Sequence, residues 1–181
     1  MQGRQILAAL ILLLAPGFAA AEEAIVAVAA NFLTTAERLA DRYEAESGHE
    51  ITITHGATGQ IYAQIRNGAP FDVFLAADSQ RPALLEQKGR TIERMTYALG
   101  QLVLISQNAV SLVDPAADFA GRTVALADPT VAPYGLAATS AMENLRLDTA
   151  NFRTVLVSDV GQVASLFATG NAEIALSLIH I

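Results

Sequence analysis

"AVAANFLTTAERLADRYEAE", residues 27–46, passes from small apolar residues into a helix pattern with no turn sequence between them. The apolar run starts at Ile25 and reads as a strand to Ala29. Leu33, Ala36, Leu39, Ala40 and Tyr43 then recur near the 3.6-residue period, which predicts a helix burying those residues and stopping at Gly48. Asn31, an uncharged amide, stands at the join. The same grammar returns twice: Ile51–Thr54 alternates as a strand before a helix at Gln60–Asn67, and Phe71–Leu75 precedes a helix at Arg81–Lys88. Strand then helix, three times over, predicts a parallel sheet with crossover helices.

The run "TYALGQLVLISQ", 96–107, is extended and reads as the crossing between two α/β lobes. Beyond it the pattern restarts, with strands at Thr123–Ala127 and Val155–Val157 and helices at Tyr134–Leu145 and Gly161–Thr169. "DPAADFAG", 114–121, reads as a surface loop. The expected division is a leader at 1–21, a first lobe at 22–100 and a second, incomplete lobe at 101–175.

Arg4, the nine-residue apolar run Ile6–Leu14, and Ala19–Ala21 before Glu22 fit an export signal with its small-residue cleavage site. Nine residues are too few to cross a bilayer, which takes roughly 20. The end of the chain is abrupt. "LSLIHI", 176–181, matches the peptide encoded in one frame by a common sequencing-library transposon end, so native sequence is expected to stop near Ala175.

The 181 residues contain no cysteine, which excludes disulfides, thiol chemistry and a lipid anchor on cysteine. Without Arg4, 10 basic residues face 18 acidic ones, a net charge of −8. Such a balance argues against nucleic acid or an anionic membrane as partner. It also means that binding an anion needs a local explanation.

Phosphate-loop, nucleophile-elbow and zinc-protease motifs are absent, and His49, His55 and His180 lack metal-site spacing. Asp72 and Asp78 bracket the third strand and could form the acid/base pair of a secreted enzyme, although carboxylates there more often cap helices or brace turns. What recurs is a small polar residue or exposed backbone at four strand-to-helix joins: Asn31, Thr58-Gly59, "PYG" at 133–135 and "SDVGQ" at 158–162. In an open parallel sheet these joins lie together at the carboxyl ends of the strands. Each helix start offers unpaired N–H groups and about half a positive charge, which suits an anion. The plainer alternative is that Asn31, Thr58 and Asp159 are helix N-caps; for Asp159 the cap is the better reading, since a carboxylate repels an anion.

On these residues the chain resembles the periplasmic molybdate-binding proteins of ABC importers, within the type II periplasmic binding proteins. "VAVAANF" at 26–32 resembles the first-strand motif, and "GATGQIYAQIRNGAPFDVFLAAD" at 56–78 the second and third, with "GAPFDVFLAAD" the most specific part. "LADPTVAPYGLAA" at 126–138 and "LVSDVGQV" at 156–163 resemble the later ligand loops. The resemblance implies a two-lobed α/β fold, each lobe a mainly parallel sheet flanked by helices, with the C-terminal part missing. It implies that Asn31 and Thr58 donate to an oxyanion through their side chains, and Tyr134 and Val160 through backbone N–H groups, with Ala30 and Gly59 adding N–H groups beside them. The Tyr134 hydroxyl has two options, the anion or the cleft wall.

The implied ligand is molybdate, and also tungstate, with no cofactor, no metal bound as a cation and no catalysis. The implied setting is the periplasm, a monomer delivering to a membrane permease with its cytoplasmic ATPase. Sulfate or phosphate on the same scaffold is the near alternative; an oxyanion-sensing regulator domain fits badly with an export signal. Members of this family continue well past the position of Ala175 to complete the second lobe and return to the first. A chain ending at 181 is therefore expected to leave apolar surface uncovered and to bind poorly or fold incompletely.

Overall fold

The computed structural model describes residues 21–110 and 113–178. The proposed leader, except Ala21, and the tail residues 179–181 lie outside them.

The stretch that opens the sequence forms β1 (Glu23–Ala29), a 3-10 turn (Ala30–Phe32) and α1 (Leu33–Ser47). β2 (Glu50–Gly56), α2 (Thr58–Arg66), β3 (Val73–Leu75) and α3 (Gln80–Gln87) follow. The first sheet has the order β2-β1-β3 and is wholly parallel, as the repeated strand-helix pattern requires. Its middle strand carries the buried residues Ala27, Val28 and Ala29. Asp72 fastens the start of β3 to β1: its N–H donates to the Ile25 carbonyl at 2.9 Å and its carboxylate accepts the Ile25 N–H at 2.8 Å.

The expected burial along α1 holds only in part. Ala36 is buried, but Leu39 and Tyr43 are 56% and 51% exposed. They border an apolar groove of about 400 Å³ between α1 and one face of the first sheet, floored by Val26, Ile51 and Ile53. The period of the helix is right, yet nothing among the described residues packs over that face.

The second sheet contains β4 (Leu102–Ser106), β5 (Thr123–Ala127), β6 (Arg153–Val157) and β7 (Ile174–Leu178) in the order β4-β7-β5-β6. β5 runs parallel to β6 and β7, and β4 is antiparallel to β7. The extended run at 96–107 thus yields a strand only from Leu102; residues 96–101 pair with no strand. "DPAADFAG" is not all loop. Asp114 caps α4 (Pro115–Phe119) by accepting the Ala117 N–H at 3.2 Å, Pro115 occupies the first turn, and Phe119 is buried.

β5 is buried throughout, and its two faces differ. Val124 and Leu126 join Phe119, Ala138 and Met142 in one core, beneath α5 (Pro133–Asn144). Ala125 and Ala127 face the other core, with Val160 and Val163 of α6 (Val160–Ala168). Strand alternation puts the bulky residues on one side and the small ones on the other. Ala57, from the loop after β2, belongs to that second core, so the two sheets share packing where their loops meet.

β7 includes Leu176–Leu178, the first half of the segment read as foreign. Ile174, Ala175, Leu176 and Ser177 are all buried between β4 and β5.

Candidate oxyanion site

Five segments meet where the sheets face each other. Ala29–Asn31, Gly56–Thr58 and Ala77 come from the first sheet, and Ala132–Tyr134 and Asp159–Val160 from the second, around a cavity of about 10 Å³. That is room for roughly one water.

Helix starts need caps, and three of these have none. The N-cap residues of the 3-10 turn, α2 and α5 are Ala29, Ala57 and Ala132, and none has a side chain able to cap. Each of these alanines is at least 96% buried. Pro133 opens α5 without an N–H of its own, so Tyr134 presents the first one. The backbone N–H groups of Thr58, Tyr134 and Val160 find no partner among the described residues. Buried N–H groups are nearly always paired, so their convergence on one cleft marks a place that an acceptor fits.

The plainer reading of Asn31 and Thr58 as caps therefore fails. Thr58 is the first helical residue of α2 rather than its cap, and Asn31 lies inside the 3-10 turn. Thr58 is 1% exposed, and its Oγ1 accepts the Ala77 N–H at 3.1 Å. With a lone pair so engaged, the hydroxyl proton remains for donation. The Asn31 amide has no hydrogen-bond partner among the described residues and borders the same cavity.

Asp159 is a cap, as its chemistry predicts. Its Oδ1 accepts the Gln162 N–H at 3.0 Å, while Oδ2 accepts from Ser158 and from the Gln162 amide, both at 3.2 Å. Among the residues bordering the cavity it alone carries a charge.

Gly59 departs from its expected role. Its N–H donates to the Val131 carbonyl at 2.8 Å, which spends the group on the opposite loop instead of leaving it for an anion. Ala30 borders the cavity. Gly135 has a role that the sequence did not single out: a Cβ there would overlap the Ala127 carbonyl, so only glycine lets the first turn of α5 sit against the end of β5.

The Tyr134 hydroxyl packs against Gly100 in the crossing segment, the wall of the cleft rather than its centre. Burial raises its pKa. Tyr97 is raised to about 12, first by burial and then by the nearby Tyr134 phenol. Both phenols are therefore neutral at physiological pH.

The rival acid/base pair does not form. Asp72 precedes β3 and Asp78 follows it, at opposite ends of the strand. Asp72 is held by β1, while Asp78 accepts the Arg81 N–H at 2.8 Å and pairs with the Arg81 guanidinium. Among the described residues no His, Asp and Glu cluster could hold a metal ion.

The profile of the bacterial extracellular solute-binding proteins matches residues 24–179. The molybdate-binding protein ModA of Azotobacter vinelandii is 41% identical over 171 residues, covering 90% of this chain and 68% of its own length. ModA of Rhodobacter capsulatus is 40% identical, with 86% and 64% covered. The chain thus spans about two thirds of the length of these curated relatives. The structure of the Azotobacter vinelandii periplasmic molybdate-binding protein superposes with a TM-score of 0.78 at 38% identity, over 86% of this chain and 71% of that one. These relatives are binding proteins, not enzymes, and the shared fold is that of the periplasmic binding proteins. The chain belongs to the bacterial extracellular solute-binding protein family.

Proposed function

We propose that this protein captures molybdate, and tungstate with it, in the periplasm and delivers it to the permease and ATPase of an ABC importer. Three uncapped helix starts converging on one cleft carry the reading, with the Thr58 hydroxyl beside them. The molybdate-binding relatives support it. Such a cleft offers donors and almost no charge. Molybdate is fully ionised at neutral pH and asks for nothing else. Short hydrogen bonds outweigh the repulsion of an acidic protein, whose long-range field is screened over about 8–10 Å.

Asn31 and Thr58 are the side-chain donors in this proposal, and Tyr134 and Val160 the backbone donors, with Ala30 beside them. Since the cavity is water-sized, the loops must part to admit a tetrahedral ion. The accompanying division is a leader at 1–21, lobes at 22–100 and 101–175, and a foreign tail at 176–181; resequencing the locus by an independent library method tests the tail.

Calorimetric titration of the complete gene product with molybdate, tungstate, sulfate and phosphate tests the function. Saturable binding of molybdate and tungstate, with sulfate and phosphate at least a hundredfold weaker, is the expected result. Tighter binding of sulfate or phosphate overturns it.

A further inference from the structure

We propose that Tyr97 is a positioning residue for this site, holding the Ala76–Ala77 segment so that Thr58, accepting from Ala77, keeps its own proton for the ion; the inference rests on the oxyanion reading above. Tyr97 lies on the crossing segment, outside every segment that borders the cavity. Its hydroxyl donates to the Ala76 carbonyl at 2.8 Å. Its ring meets Phe32 edge-on, with centroids 4.9 Å apart. The next residue, Ala77, gives its N–H to Thr58 Oγ1. Phe32 follows Asn31 in the same 3-10 turn. One side chain thus touches the chain neighbour of Asn31 and the peptide whose N–H bonds to Thr58.

Something must hold Ala76, because the sheet does not. β3 is three residues long, and its pairing with β1 ends at Leu75. Past that point the Tyr97 hydroxyl replaces the missing ladder contact. Around it, Ile92, Met95 and Leu99 are exposed. A hydroxyl carries one proton and two lone pairs. While Ala77 occupies one lone pair, the Thr58 proton is aimed away from Ala77. When the Ala76–Ala77 peptide is free to turn, Thr58 can donate to protein carbonyls instead, and the site loses an oriented donor.

A double-mutant cycle tests this, with molybdate titrated into the complete gene product and its Tyr97→Phe, Thr58→Ala and doubly substituted forms. Phenylalanine keeps the ring on Phe32. Tyr97→Phe is expected to weaken molybdate binding about fivefold in the wild-type background and less than twofold once Thr58 is alanine. A merely structural role weakens both backgrounds equally, and that result, or no loss in the wild-type background, overturns the proposal while leaving the site intact. Unchanged binding in Thr58→Ala overturns the site reading itself. Hydrogen exchange of the unmutated protein is a check that needs no variant: the Ala77 amide is expected to be protected, and exchange at the rate of an open chain overturns the proposal.

Discussion

The N–H of Gly59 lies 2.8 Å from the carbonyl oxygen of Val131, fastening the first turn of α2 to the loop before α5. This direct backbone bond joins elements of the two sheets beside the cleft. A Cβ at Gly59 would stand 2.8 Å from that oxygen and 3.0 Å from the Val131 Cα, and backbone cannot yield as a side-chain tip can. Gly59→Ala is therefore expected to hold the loops apart. Molybdate affinity should fall at least tenfold with the circular dichroism unchanged, and X-ray scattering should show a larger radius of gyration.

Thr58→Val keeps the shape of a buried side chain but removes the donor and strands the Ala77 N–H. A loss of about 1–3 kcal/mol in molybdate binding is expected, the range for a hydrogen bond to a charged group or a stranded buried donor. Asn31→Ala should lose a similar amount. Calorimetry reads both directly, and full affinity in the two variants would mean that the ion sits elsewhere.

Asp159 caps α6 and is the charged residue at the cavity edge. Asp159→Asn retains an acceptor for the Gln162 N–H while removing the negative charge. Anion affinity is expected to stay equal or rise, whereas Asp159→Ala should cost about 0.5–2 kcal/mol of stability. Titration and thermal melting separate the two effects.

Alkali should destabilise the protein through Tyr97. Below pH 10 the phenol is neutral in the folded and the unfolded chain alike, so its contribution is fully present. Above pH 10 the unfolded chain ionises while the folded one resists up to about 12, and stability drains as pH rises through that window. The melting temperature of Tyr97→Phe should decline less steeply between pH 10 and 12 than that of the unmutated protein.

The alternation of apolar runs with helical patterns was legible because local period and tertiary burial agree at β1, β2, β5 and α2. Element ends shifted by one or two residues, since caps decide them and three of the caps here are alanines without a side-chain signal. Leu39 and Tyr43 show the limit of periodicity: it names the face of a helix but not whether anything covers it. α4 could have been found from Asp114-Pro115, an N-cap followed by proline in the first turn. β7 overlaps "LSLIHI", which matches a transposon end and also reads as a hydrophobic strand, so sequence pattern alone does not separate the two.

At the site, the four joins could be read from the chain because each is strand-to-helix punctuation. The pairing of Gly59 with Val131 and the reach of Tyr97 to Ala76 could not. Both join residues distant in sequence, and neither residue type announces its partner.

The wiring of the second sheet has a kinetic consequence. β7 separates β4 from β5, pairing Ile174 with Ser106 and Ala175 with Ile105. As a nascent chain emerges from its amino end, β4 waits without its neighbour β7, since β5 and β6 lie between them in sequence. Assembly of that sheet is consequently late and non-local, the regime in which folding is slow.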